Sequence, residues 1–162
     1  MKTTDLSEKL KEELKKRNLW EQDEEEQDED SKKDDDENTD SNDEFCEMVC
    51  QMIHSQTQVH IFHLGTKSYS EHKALQTYYE GIDGLVDGLV ESYQGKYGLL
   101  TNYKSYKNQS YKNKNQVSKY FTGLLSTIDK NRESCDDSYI QNQIDTVQEL
   151  IYSTMYKLKF LN

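Results

Sequence analysis

Apolar residues recur at intervals of three and four positions from Phe45 to Leu158, and the chain contains no proline. Such spacing places the apolar side chains on one face of an α-helix, and a chain without proline has no forced helix break. Long runs of β-branched residues, which are typical of buried strands, are missing from the sequence. The sequence therefore predicts an all-α protein.

Four helical segments are predicted, and capping residues mark their ends. Ser68 or Ser70 can cap the second segment, while Gly65 and Gly95 can end the first and the second. A long polar crossover (96–114) joins the second and third segments, an arrangement that occurs in four-helix bundles. The predicted bounds are 45 to 65, 68 or 70 to 95, 115 to 133 and 137 to 160.

The N-terminal part differs sharply from the predicted bundle domain, which is 45–162. Residues 21–44 hold 15 carboxylates and 2 lysines, whereas the whole chain has a net charge of −11. A segment of this composition cannot bury enough apolar surface to offset its ordering entropy, so we expect a disordered acidic linker. Residues 1–20 carry leucines at helical spacing and predict a short amphipathic helix.

No apolar run approaches the roughly 20 residues that span a bilayer, so no membrane contact is expected. The N-terminus also lacks the apolar core of a signal peptide. Three cysteines without a C-x-x-C motif fit a reducing compartment. These features predict a soluble protein in the cytoplasm.

The second predicted helix carries a row of carboxylates. Asp83, Asp87 and Glu91 follow one another at intervals of four, and like charges at that spacing destabilise a helix. Solvent or a bound cation must relieve the repulsion. We refer to these three residues as the acidic ladder.

Three glycines lie on another side of the same helix. Gly81, Gly84 and Gly88 each destabilise a helix interior by roughly 0.8–1 kcal/mol relative to alanine. A helix that tolerates all three can allow another backbone to approach closely. We therefore predict that the chain forms a homo-oligomer through this glycine face; packing against another helix of the same chain, or glycines that only face solvent, are the alternatives.

Histidines near the start of the second predicted helix, together with the acidic ladder, complete a possible set of metal ligands. His63 ends the first predicted helix and His72 begins the second, so a short turn brings them to one corner of the bundle. His60 lies beside the apolar face of the first predicted helix. Imidazole nitrogen combined with carboxylate oxygen suits Fe(II), Mn(II) or Zn(II).

Residues 59–98 resemble the first two helices of the ferritin-like proteins, and most closely the miniferritins of the Dps type. The resemblance rests on the two histidines, His63 and His72, followed by Asp87-Gly-Leu-Val-Glu91. It implies a ferritin-like four-helix bundle in which His63 and His72 bind iron and Asp87 and Glu91 bridge it. In that family, two subunits supply the ligands.

Some positions depart from that pattern. Gln76 stands where miniferritins have an acidic ligand, His60 is an alternative match for the first histidine, and Asp83 is a further carboxylate candidate. We expect an Fe(II)-binding protein, with Mn or Zn as substitutes and a weak ferroxidase activity as the only enzymatic role. The chain also resembles short ferritin-like proteins of unknown role from large tailed phages. A phage-encoded scaffold without ferroxidase chemistry, in the host cytoplasm or the virion, is the alternative.

The crossover is the basic part of the chain. Four of its lysines stand among tyrosines, and no acidic residue occurs between Ser92 and Ile128. Lysines that displace counterions and rings that stack on bases are the features that bind single-stranded nucleic acid. The candidate lysines for such binding are Lys104, Lys107, Lys112 and Lys114; a solvated polar loop is the alternative.

Overall fold

The computed structural model describes residues 35–161, with side chains from Asn42 onward. The predicted helix in 1–20 and the acidic residues 21–34 lie outside this part. The described residues form four α-helices and no strand, so the predicted all-α four-helix fold is confirmed. The helices are α1 (Asp35–Gly65), α2 (Tyr69–Tyr97), α3 (Lys114–Glu133) and α4 (Ser138–Phe160).

Helix α1 begins at Asp35, ten residues before the predicted start at Phe45. The prediction of a disordered linker is therefore wrong for residues 35–44. Carboxylates in the first turn of a helix interact favourably with the partial positive charge of its N-terminus, which favours a helix at this acidic sequence. From Phe45 onward the helix has a buried face, and residues 37–162 form one compact unit.

The ends of α2 follow the capping rules. The Ser68 hydroxyl accepts a hydrogen bond of 3.3 Å from the Glu71 backbone N–H, so Ser68 is the cap. At the other end the helix continues past Gly95 and stops before Gly98, whose φ of 87° favours glycine. The predicted helix was therefore two residues too short at its C-terminal end.

The connections determine the helix directions. A short turn (66–68) makes α2 antiparallel to α1, whereas the crossover (98–113) returns along the bundle so that α3 runs parallel to α2. The Lys96 ammonium lies 2.6 Å from the Asp137 carboxylate, which places the start of α4 beside the end of α2. None of the four described helices carries an apolar stretch of the length that a bilayer crossing needs.

The core lies where the apolar faces meet. Tyr78 on α2 is fully buried, whereas its neighbour Tyr79 is half-buried. The Tyr78 hydroxyl lies 2.7 Å from that of Ser55 on α1, which satisfies both polar groups inside the core. The largest fully buried side chains are Tyr78, Phe62, Phe121, Met48, Met52, Leu75, Ile82, Leu89, Ile128, Ile140, Ile144 and Ile151.

Side chains of α1 bind the crossover to the bundle. Gln58 donates to the Gln109 carbonyl at 2.8 Å and accepts from its N–H at 2.7 Å. Glu47 accepts hydrogen bonds from the Tyr106 hydroxyl and from the Lys104 ammonium, the latter at 2.9 Å. These contacts order a segment that has no secondary structure of its own.

Gly65 is the one described glycine at which the crossover comes too close for a side chain. A Cβ atom there would lie 2.4 Å from the Tyr111 Cβ. We expect Gly65→Ala to lower the free energy of unfolding by about 1–3 kcal/mol through overpacking. Urea titration measures the change. Gly95→Ala is the control, because no atom lies within 4 Å and a helical alanine stabilises; equal unfolding midpoints for both variants would contradict the packing account.

The Glu47 carboxylate makes the attachment of the crossover sensitive to acid. Hydrogen bonds from Tyr106, Lys104 and Gln51 lower its pKa from 4.5 to about 2. Because the folded-state pKa is lower than the unfolded value, this contribution to stability is present above pH 4.5 and is lost as the pH falls towards 2.

We expect Glu47→Gln to lower stability at neutral pH and to reduce the loss of stability over this acidic range. Chemical denaturation across the pH series measures both effects. Glu149→Gln, an exposed carboxylate on α4, is the matched control. Identical pH dependence in both variants would refute the assignment to Glu47.

Candidate functional site

His63 and His72 meet across the turn between α1 and α2. Each ring bonds through Nδ1 to the backbone carbonyl of the other residue, at 2.9 Å from His63 and 3.1 Å from His72. The two rings stack with their centroids 3.6 Å apart. The predicted pairing of these histidines is thus present within a single chain.

The hydrogen bonds decide which nitrogen each neutral ring offers. A carbonyl oxygen can only accept, so Nδ1 donates in both residues and Nε2 keeps its lone pair. Metal-bound histidines commonly have this arrangement, in which the second ring nitrogen donates to a carbonyl or carboxylate and orients the ring. The backbone at this turn therefore prepares two Nε2 atoms as acceptors or ligands.

An aromatic cluster surrounds the pair. The exposed ring of His60 stacks on Tyr79 with centroids 4.3 Å apart, and the His63 ring meets the edge of Tyr79 at 5.1 Å. The ring centroids of His60 and His63 lie 5.8 Å apart. His60, the alternative first ligand, is thus close to the pair while its face is covered by Tyr79.

The acidic ladder is exposed and lies away from the histidines. His72 and Asp87 are separated by fifteen residues of one helix, or about 22 Å at 1.5 Å per residue. Asp83, Asp87 and Glu91 form no ion pair or hydrogen bond with side chains described in 42–161. Their mutual repulsion is therefore relieved only by solvent in the described part of the chain.

The structure does not bring the whole predicted ligand set together in one chain. Among the described residues, no group of three or more His, Cys, Asp or Glu side chains lies close enough to hold a metal ion. Gln76, next in line after His72, is engaged along its own helix, with 2.7 Å hydrogen bonds from Lys73 and to Glu80. A site that combines the histidines with Asp87 and Glu91 requires two chains.

A groove between α1 and α2 adjoins the ladder. Its volume is about 280 Å³, and Ile53 at its rim is 49% exposed. We call it the α1–α2 groove. Its lining is mostly apolar, with carboxylates at the edge: Met52, Ile53, Gln56, Ile82, Asp83, Val86, Asp87, Val90 and Tyr103.

The glycine face is directed partly towards α4 of the same chain. A Cβ at Gly81 would lie 3.4 Å from Leu150, and the Gly88 carbonyl accepts a 3.3 Å hydrogen bond from Gln143. A Cβ at Gly84, which is exposed, would meet no atom within 4 Å. Only ordinary packing distances occur, and the homo-oligomer through this face stays a prediction.

The crossover lysines differ in their surroundings. Lys104 is paired with Glu47, whereas Lys107 and Lys112 are exposed and form no ion pair with the described side chains. Lys114 is the first residue of α3 and is half-buried.

The tyrosines of the crossover are used inside the bundle. Tyr106 donates to Glu47, and Tyr111 donates to the buried carboxylate of Glu71 at 3.1 Å. Tyr103 is 50% exposed. Sequence reasoning missed these carboxylate partners; the Ser68-x-x-Glu71 spacing, a helix-start signature, was the available sign that Glu71 is structural.

Comparison with known proteins gives a family without a function. The family described as "Family of unknown function (DUF5856)" matches residues 63–158. No curated protein and no solved structure matches the chain significantly. The matched region begins at His63 and contains the paired histidines His63 and His72, the ladder, the crossover and α3, whereas His60 lies before it. Because the match covers more than half of the sequence, the chain belongs to this family of unknown function.

Proposed function

We propose that two copies of the chain bind Fe(II) between them, with His63 and His72 of one copy facing Asp87 and Glu91 of the other. The observation that carries the proposal is the reciprocal hydrogen bonding of the two histidines, which leaves both Nε2 atoms with a lone pair. Two imidazoles and two carboxylates form a ligand set suited to iron, with manganese or zinc as substitutes.

The carboxylate half of the site supports the same arrangement. The acidic ladder has no cationic partner in the described part of the chain, so a bound metal ion would relieve the repulsion along α2. The α1–α2 groove beside it offers apolar surface, including half-exposed Ile53, that a second copy can cover. The ladder would then lie beside the contact and be partly shielded from water.

Iron would be the substrate of this site. The histidines would hold Fe(II) through Nε2, and Asp87 and Glu91 would compensate its charge while it loses an electron to dioxygen or peroxide. The resemblance to Dps-type miniferritins favours this reaction, which would make the protein a weak ferroxidase. Location in the cytoplasm belongs to the same proposal, whereas a phage origin, with location in the host cytoplasm or the virion, belongs to the scaffold alternative.

A structural scaffold is the second candidate. Gln76 is a poorer ligand than the carboxylate at that position in miniferritins, and its amide is already bound by Lys73 and Glu80. The stacked rings of His63 and His72 also contribute to packing at the α1–α2 corner. A bundle with these features can serve in assembly without metal chemistry.

The tautomers of the two histidines test the ligand geometry. At about pH 8, where a free imidazole is neutral, we expect Nδ1 to carry the proton in both His63 and His72. Long-range ¹⁵N–¹H correlation spectra distinguish the two nitrogens. His63→Gln and His72→Gln assign the signals. Protons on both Nε2 atoms would remove the lone pairs and refute the proposed site.

Iron oxidation tests the function. Fe(II) is titrated anaerobically, oxygen is added, and ultraviolet absorbance follows the product. We expect the natural chain to oxidise iron and the double variant Asp87→Asn plus Glu91→Gln to lose at least about tenfold in rate, because both proposed carboxylate ligands are removed. Asp129→Asn plus Glu133→Gln removes carboxylates of the same spacing from α3 and should retain the rate. Equal absorbance traces for the natural chain and both double variants would favour the scaffold.

A further inference from the structure

Three aromatic side chains form a row along the outer surface of α4. Tyr152, Tyr156 and Phe160 follow one another at intervals of four residues, and their side chains are 55%, 56% and 60% exposed. The rings of Tyr156 and Phe160 lie with their centroids 5.5 Å apart. Residues four apart lie on the same side of a helix, so the three rings form one continuous surface. We call this row the aromatic ridge.

The aromatic ridge points away from the bundle. At about 100° per residue, it lies about 160° around the axis of α4 from the centre of the buried face. That face packs against α2 and α3. It consists of Ile140, Ile144, Val147, Ile151, Thr154 and Leu158. The outward side of a surface helix is normally polar, so exposed aromatic rings at this position indicate a contact with another molecule.

The charges of α4 are divided between its two halves. Glu149 lies three residues before the first ring of the ridge, and the Lys159 ammonium lies 5.0 Å from the centroid of the last ring, that of Phe160. Neither residue forms an ion pair with a described side chain. The other charged residues of the helix follow the same division, with Asp145 in the first half and Lys157 in the second. An antiparallel second α4 would therefore bring opposite charges together, whereas a parallel one would bring like charges together.

We propose that the aromatic ridge binds the same ridge of a second copy of the chain, with the two α4 helices antiparallel. When Glu149 lies opposite Lys159 of the second copy, Tyr152 lies opposite Tyr156 of that copy, because both pairs are centred on Thr154. A two-fold axis at this point repeats both contacts. A single register therefore pairs the unpartnered charges and the exposed rings.

The area of the ridge suits the centre of such a contact. Because an aromatic side chain can bury about 150–250 Å², three that are just over half exposed offer roughly 250–430 Å². A stable interface buries about 800 Å² on each partner, with aromatic residues at its centre and polar residues at its rim. Ser153, Glu149 and Lys159 are exposed beside the ridge and would form part of that rim. In a separate copy they face water.

This contact is separate from the one proposed for iron binding. The ridge lies on α4, whereas the paired histidines and the acidic ladder lie on α1 and α2. The α1–α2 groove contains no residue of α4 either. A chain that used both contacts would form an assembly larger than a dimer. The ridge proposal uses none of the proposed metal ligands and is therefore independent of iron binding.

Sedimentation velocity of the full-length chain, without iron and over a series of concentrations, measures the association. We expect Tyr152→Ser plus Tyr156→Ser to raise the dissociation constant by at least about tenfold, because tyrosines at the centre of an interface carry much of its binding energy. Tyr69→Ser plus Tyr139→Ser removes two exposed tyrosines outside the ridge and should leave the constant within about twofold. Circular dichroism verifies that both variants keep the helical fold.

An exchange of charges tests the antiparallel register. Glu149→Lys alone and Lys159→Glu alone should each weaken association by about threefold or more, because each change makes both symmetric contacts like-charged. The combined variant, Glu149→Lys plus Lys159→Glu, should return the dissociation constant to within about twofold of the natural value, because opposite charges meet again.

Three results would overturn the proposal. The first is a natural chain that stays monomeric up to about 1 mM. The second is equal association of the two tyrosine variants, which would assign any self-association to another face, such as the α1–α2 groove. The third is a combined charge variant that associates no better than the single variants, which would exclude the antiparallel register.

Discussion

The corner between α1 and α2 depends on two histidines that bind each other's backbone. His63 and His72 exchange hydrogen bonds through Nδ1 and carbonyl oxygen across a short turn, and their rings stack at 3.6 Å. This arrangement satisfies backbone carbonyls near a helix end and fixes the tautomers of both rings. The direction of α2, and with it the position of the ladder, follows from that corner.

The crossover is the second determinant of the bundle, since it returns along the helices and so makes α3 parallel to α2. It is attached by specific polar contacts to α1 and to the start of α2, through Glu47, Gln58 and Glu71. Buried or half-buried carboxylates that accept from tyrosines explain why this acid-free segment is rich in tyrosine. The same contacts leave Lys107 exposed at the surface.

Much of the fold could be predicted from the sequence, because apolar spacing reports directly on buried helix faces. The end of α1 at Gly65, the Ser68 cap and the buried stripe of α4 all follow from local rules. The start of α1 did not follow from these rules. The acidic composition predicts disorder, whereas the electrostatics of a helix N-terminus favour a helix that begins at Asp35. The burial of Tyr78 depends on a hydrogen bond with the Ser55 hydroxyl, which belongs to another helix and gives no local signal in the sequence around Tyr78.

The candidate sites were less predictable because they combine residues distant in sequence. The pairing of His63 with His72 follows from a short turn and was predicted. The separation of these histidines from Asp87 within one chain is also implied by the helix rise, so only the contact between two chains decides whether they share a metal. The α1–α2 groove had no sequence signal, since α1, α2 and the crossover build it together.

The central claim is that iron lies between two chains, and anomalous diffraction from crystals soaked anaerobically in Fe(II) tests it most directly. The account predicts an anomalous peak within bonding distance of His63 and His72 Nε2 of one copy and of Asp87 and Glu91 of its neighbour. A ladder surrounded by bulk water, with no iron peak and no neighbouring chain at the histidines, would contradict it.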